Sequence, residues 1–246
     1  MALSRVLNER TDCPYSKPPN LHISVLKMQE EQRVVDWFFT EISAKAATVK
    51  KNRVAVISDG HSLATITLFE EYKGAVKEGT SYIIVGYGLR GQSPPYLIKI
   101  DRQTKFFRGS DISISPGLIN EAEKILNPPS KVVNLRESAE EKGLVTIQGT
   151  VVELLSLKKV QAGRNLVPLR NIGVQKQFCH FTQDEFMISI WLWRELSVIS
   201  LSIGDMITVS HLKVDSTMYR HQLKSTRYSK LEKTKTAQTP ASPSSG

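Results

Sequence analysis

The chain has 246 residues, with 33 Lys and Arg against 24 Asp and Glu, and its net charge of +9 favours polyanionic partners. A hydrophobic content of 40% and a charged content of 23% are ordinary for a globular protein. No apolar run approaches the roughly 18 residues that cross a bilayer, so no membrane partner is expected. Residues 1–19 lack the apolar core of a secretory signal, and the two cysteines, Cys13 and Cys179, cannot build a disulfide framework or a four-ligand zinc site. No cofactor is expected, and the compartment reads as reducing and intracellular. The length suggests two domains of roughly 90 to 100 residues each, with tails.

Residues 1–20 carry Pro14, Pro18 and Pro19 without periodicity and read as a flexible lead-in. Leu21–Met28, Val34–Ile42 and Arg53–Ile57 are rich in β-branched and aromatic residues and read as strands, with Trp37, Phe38 and Phe39 as core. Ser58-Asp59-Gly60 reads as a tight turn into Leu63–Phe69, whose residues alternate with the period of a sheet. Glu70–Glu78 is expected to form one or two helical turns, Gly79 to release the chain into the strand Tyr82–Val85, and Gly86–Pro95 to be a loop before a final strand from Tyr96 to Phe107. A first domain therefore covers 21–115. Pro116 opens a helix with Leu118, Ile119, Ala122, Ile125 and Leu126 on one face, and Pro128-Pro129 stops it. With the charged stretch Ser130–Lys142 it forms a linker, 116–142.

The second domain, 143–233, starts with a long strand from Leu144 to Leu155, in which Gly149 marks a bend or bulge. A basic loop from Lys158 to Arg164 follows, then Leu166–Ile172, the strand Phe186–Trp193, a short connector, and Asp205–Lys213. Residues 234–246 are dominated by Thr, Ser, Pro and Lys and read as a disordered tail. One signature occurs in both halves. Leu68-Phe69-Glu70-Glu71 with Gly79 is matched by Leu192-Trp193-Arg194-Glu195 with Gly204, at a shift of about 125 residues that indicates tandem domains. The expected fold is all-β: two tandem five-stranded OB-fold barrels joined by a short helical linker.

Gly149, Leu192-Trp193-Arg194-Glu195, Gly204-Asp205 and Leu223-Lys224-Ser225-Thr226, in this order, resemble the DNA-binding barrels of the large subunit of replication protein A. The first half is similar through Ser58-Asp59-Gly60, Leu68-Phe69-Glu70-Glu71 and Gly79, but lacks the serine-threonine ending. The resemblance implies single-stranded DNA laid across consecutive barrels, with bases stacked on aromatic side chains and phosphates neutralised by loop cations. It assigns stacking to Trp193 on strand three and Tyr219 in the last loop, with Phe69 as the first-domain match of Trp193 and Tyr87 or Tyr96 as the counterpart of Tyr219. Trp191 is read as core.

Lys45, Lys50, Lys51 and Arg53 are expected in or beside the first domain's strand one to two loop, and Lys158, Lys159, Arg164 and Arg170 in the matching place of the second, the rim where this fold takes its ligand. Arg220 and Lys224 belong to the late basic stretch. His61, His180, His211 and His221 show no metal-ligand spacing. With no Walker loop, His-Glu helix motif or serine elbow, no enzyme is expected. The function expected is single-stranded DNA binding in replication, repair or recombination, in the nucleus, with RNA as a competing ligand. The alternative is an OB-fold interaction scaffold whose partners are other OB-fold or genome-maintenance proteins.

Overall fold

A computed structural model of the chain describes residues 2–9, 18–72, 74–163, 165–175, 187–217 and 220–234. They are predominantly β and fall into two units, each with its own core. The first unit draws on Met1–Arg33 and Val49–Pro128, the second on Val34–Thr48 and Pro129–Gly246.

In the first unit, β1 (Leu21–Phe39), β2 (Ala44–Ser58), β3 (Leu63–Leu68), β4 (Ser81–Val85) and β7 (Lys105–Arg108) form one sheet in the order β3-β2-β1-β4-β7. The short strands β5 (Gly88–Arg90) and β6 (Leu97–Lys99) pair separately. This is the 3-2-1-4-5 order of an OB sheet, but among the described residues no ladder joins β3 to β7 to close it. The expected final strand is thus divided, and its second part, Lys105–Arg108, is the one that pairs with β4. Leu21, Ile23, Ala55, Ile57, Leu68 and Ile84 are fully enclosed in its core.

Two expectations change here. The lead-in is ordered in part: Leu3–Asn8 forms a short helix, α1, because Leu3, Val6 and Leu7 fall on one helical face, and Leu3 and Val6 are sealed into the first core. The Leu3 N–H donates to the Asp59 carboxylate, which also accepts from the N–H groups of His61 and Ser62 across the β2–β3 turn. The predicted helix does form, as α2 (Pro116–Leu126), with the Ser115 side chain accepting from the Leu118 N–H at its start. It packs Ala122 and Leu126 against Leu26, Val54 and Val56, so it is a layer of the first unit.

The second unit contains a closed barrel. β9 (Leu144–Leu154), β11 (Asn165–Gln175), β12 (Met187–Trp193), β14 (Arg220–Ser225) and β13 (Met206–Thr217) pair in a ring: β9–β11, β11–β12, β12–β14, β14–β13 and β13–β9. Of these five ladders, β12–β14 alone is parallel. This connectivity is that of an OB barrel. β10 (Lys158–Ala162) extends β11 as a hairpin, while β8 (Ser130–Val132) and β15 (Leu231–Lys233) add to β9 and β13.

Gly149 is the bend that the sequence indicates. Up to Gly149 β9 pairs with β13, and from Thr150 it also pairs with β11. A Cβ at Gly149 would stand 2.5 Å from the Gln175 carbonyl oxygen, closer than any side chain tolerates. The interior is filled by Val145, Ile147, Ile172, Val174, Ile188, Ile190, Leu192 and Leu223, with Val133 and Leu135 of the expected connector enclosed beside them.

Candidate nucleic-acid interface

The strict alternation of β12 sorts its side chains by face. Ile188, Ile190 and Leu192 are sealed inside, so Met187, Ser189, Trp191 and Trp193 occupy the outer face. Trp191, read as core from its apolar setting, is therefore on the outside, partly buried. In register with it are Asn171 on β11 and Lys224 on β14, and Lys213 of β13 lies opposite Lys224. Gln222 stands beside Ser189 by the same ladder. The result is an outer sheet of one flat aromatic ring surrounded by amide, hydroxyl and ammonium groups, over strands two, three and five of the barrel.

Hydrogen bonds order this face. Ser189 Oγ donates to Asn171 Oδ1 at 2.7 Å, which leaves the Asn171 amide N–H groups to donate elsewhere. Lys224 Nζ is 2.7 Å from Asp215 Oδ2, and Gln222 Nε2 donates to the same oxygen at 3.1 Å. The hydrogen bond from Lys224, then that from Gln222, holds the Asp215 carboxyl below its usual range. Lys224 is thus on the expected face but already paired, and an approaching phosphate must compete with Asp215. The Nε1–H of Trp191 makes no hydrogen bond to the described residues.

Trp193 is engaged differently from the sequence expectation. Residues 34–48, the tip of the β1–β2 hairpin, group with the second unit. Val34, Trp37, Ala44 and Val167 are buried together there, with Phe39, Val160, Trp193 and Val198 packed around them. The Val34 N–H donates to Glu195 Oε1 at 3.2 Å. Trp193 is therefore half-buried against a cluster that includes Trp37 and Val167, and Trp191 remains as the ring of β12 outside that cluster. Trp37 and Phe39 are packed as expected, but Phe38 is 63% exposed.

The basic residues stand on strands rather than in loops. Lys45, Lys50 and Lys51 are exposed along β2, because Leu21–Met28 and Val34–Ile42 join into one 19-residue strand and leave only a tight reversal at Thr40–Ser43. Arg53, also on β2, is spent inside the first unit: its guanidinium donates to the carbonyl oxygens of Tyr72 at 2.7 Å and Val76 at 3.4 Å. Lys158 and Lys159 are exposed on β10, and the Lys159 ammonium sits 4.9 Å from the centre of the Phe39 ring.

Arg170 is not a rim cation. It pairs with Leu192 on the inward register of β11, donates to the Ile199 carbonyl, and burial lowers its hold on its proton. Arg220 opens β14; Tyr219 and Arg164 lie outside the described residues, as do Cys13 and Cys179.

In the first unit Phe69 is 39% exposed just past β3. The residues expected as the first-domain counterpart of Tyr219, Tyr87 and Tyr96, are buried; the Tyr87 hydroxyl donates to the Pro19 carbonyl, and burial pushes that phenol up to about 12. Of the sequence-derived site residues, the structure gathers Trp193, Lys45, Lys158, Lys159 and Lys224 in the second unit. Asn171, Ser189, Gln222 and Lys213 were missed; period-two alternation from Ile190 and Leu192 would have found Ser189, but the others needed the strand pairing.

The motifs that carry the resemblance act locally on structure. Gly204, at φ +94°, makes the turn in which Asp205 Oδ2 accepts the Ser202 N–H and meets Lys233 Nζ at 2.7 Å. Ser225 Oγ accepts the Trp193 N–H, and Thr226 Oγ1 donates to the His211 carbonyl.

No family model matches the chain, and no curated protein matches it. Among solved structures, the chain is similar to a p202 HIN1 domain in complex with a 12-mer double-stranded DNA (TM-score 0.41, 12% identity, 89% of this chain and 94% of that one). It is also similar to a p204 HINb domain (TM-score 0.40, 14% identity, 89% and 98%) and to a replication protein A heterotrimer bound to single-stranded DNA (TM-score 0.39, 11% identity, 90% and 50%). At such scores and identities these likenesses carry no weight for the fold or for what the chain binds.

Proposed function

We propose that the second barrel binds an unpaired nucleic-acid strand, single-stranded DNA of the kind exposed in the nucleus during replication, repair or recombination. The observation that carries this is Trp191, held on the outer face of β12 in register between Asn171 and Lys224. A ring on that face offers a stacking surface to any base, and the neighbouring amides and ammonium groups suit base edges and phosphate. Exposed Lys158 and Lys159 on the β10 hairpin add the positive rim. The first unit, with the same strand order, is proposed to be the other member of a tandem pair of barrels and to offer Phe69, Lys50 and Lys51 to nucleic acid.

All three tryptophans, Trp37, Trp191 and Trp193, belong to the second unit, so tryptophan emission, excited apart from tyrosine, reports on it alone. Titration of the full chain with oligo-dT at two salt concentrations should quench that emission. Affinity should fall steeply as salt rises and exceed that for duplex of equal length, with oligo-U as the competing RNA. Trp191→Ala should weaken binding by roughly 5- to 150-fold, the equivalent of about 1–3 kcal/mol per stacked base. Equal binding to duplex, or no effect of Trp191→Ala, overturns the reading.

One observation favours a second reading, a docking scaffold for genome-maintenance proteins: the expected stacking residue Trp193 is half-buried against the cluster of Val34, Trp37, Ala44 and Val167. Stable protein partners recovered after nuclease treatment, without any oligonucleotide binding, would select it.

A further inference from the structure

Phe38 is a large apolar ring that the fold leaves in water. It is 63% exposed, whereas Trp37 before it is 7% exposed and Phe39 after it is packed into the hairpin-tip cluster. The cause is local. The Thr40 N–H donates to the Ser43 carbonyl and the two hydroxyls meet at 2.7 Å, closing the tip. Phe39 and Ala44 stand one residue outside that closure and turn towards the cluster; Phe38 and Lys45 stand two residues outside it and share the opposite face. Both are exposed.

One cation shares the exposed face of the tip with Phe38. Lys45 lies on the face of Phe38, and the Lys159 ammonium rests on the Phe39 ring, with Lys158 next to it on β10. Against these three lysines stand three carboxylates, Asp36, which accepts the Trp37 N–H at 2.9 Å, Glu41 in the turn, and Glu195, which accepts the Val34 N–H at 3.2 Å, so the cation that bears on Phe38 is Lys45. Burial of Phe38 in an apolar protein groove would gain nothing from the neighbouring Lys45 ammonium, and would have to desolvate it. A strand of stacked bases linked by phosphates needs both groups together.

We propose that Phe38 is a second base-stacking platform, with Lys45 holding the adjoining phosphate, for the same unpaired strand that the Trp191 face takes. This rests on the reading of the second barrel as a single-strand binder. The strand then runs beyond the barrel face onto the hairpin tip, and the tip is a ligand-bearing part of the second unit.

The test uses the full chain, with oligo-dT as the probe and fluorescence anisotropy as the readout. Phe38→Leu keeps apolar bulk but removes the aromatic face, and should weaken binding of a long oligo-dT by roughly 5- to 150-fold, while Phe38→Trp restores it and adds a quenchable fluorophore. Lys45→Ala should lower the slope of log affinity against log salt by about one contact. Thermal midpoints should stay at the parent value, because both side chains are exposed. If Trp191→Ala weakens binding while Phe38→Leu and Lys45→Ala bind as the parent does, the tip is outside the track and this inference alone falls. If the parent chain binds no oligo-dT, both readings fall together.

Discussion

Gly149→Ala is the substitution whose consequence the geometry defines most sharply. At Gly149 the first barrel strand passes from one neighbour to the other, facing Ile207 on β13 just before Thr150 meets Gln175 on β11. An added Cβ would sit 2.5 Å from the Gln175 carbonyl oxygen, 2.6 Å from Val174 Cγ1 and 3.2 Å from the Gln175 carbonyl carbon, all inside the 3.4 Å where ordinary contact begins. Two of the three atoms are backbone in a closed ring of strands, so they cannot step aside as a flexible side chain would. Overpacking of this kind costs about 1–3 kcal/mol. For a unit of this size that is a loss of roughly 2–12 °C in the thermal midpoint.

The assay is urea and thermal unfolding followed by tryptophan emission, which reports the second unit. Gly143→Ala is the internal control: nothing lies within 4 Å of its added Cβ, and the lower entropy of the unfolded chain should leave it neutral or stabilised by up to about 1 kcal/mol. If Gly149→Ala is as stable as Gly143→Ala, the closure of the barrel through β9 is wrong.

Two further predictions concern charge. Asp59 loses some ease of ionisation to burial, but the N–H groups of Leu3, Ser62 and His61 outweigh this and set its carboxyl below the usual range. Its stabilising effect on α1 is therefore full above the unfolded value near 3.9 and is lost as pH falls through the lower folded value. Hydrogen exchange at the Leu3 amide should accelerate across that acidic window in the parent chain and show no such step in Asp59→Asn; a parent profile without the step refutes the anchoring of α1. Arg170, on the inward register of the barrel, should contribute no phosphate contact. Arg170→Met should leave the salt slope of oligo-dT binding unchanged, whereas Lys158→Ala and Lys159→Ala should each lower it by about one; a lower slope for Arg170→Met would return that side chain to the rim.

What was legible in the sequence was what short-range chemistry determines. Gly149 marked the bend because no other residue fits between β11 and β13, and Pro116 and Pro128 bracketed a helix. Period-two alternation puts Trp191 and Trp193 on one face of β12 but does not say which face is inside; Trp191, read as core, is partly buried on the outer face with its Nε1 enclosed. The long hairpin was hidden for a different reason. Its middle, Gln29–Arg33 on one strand and Lys50 and Lys51 on the other, is polar and exposed, which reads as loop although the backbone remains paired. That misreading put four basic residues in a loop and concealed both the packing of Trp37 near Trp193 and the exposure of Phe38. Asn171, Gln222 and Lys213 join the candidate site only through ladders between strands distant in sequence, which no local pattern encodes.

The central claim is that an unpaired strand lies on the Trp191 face of the second barrel. Photo-cross-linking of the full chain to oligo-dT carrying 5-iodouracil, followed by mass spectrometry of the cross-linked peptides, examines this directly. The account predicts adducts within Met187–Trp193, abolished by Trp191→Ala and competed by unlabelled oligo-dT but not by duplex. Adducts confined to other strands, or adducts that survive Trp191→Ala undiminished, would contradict it.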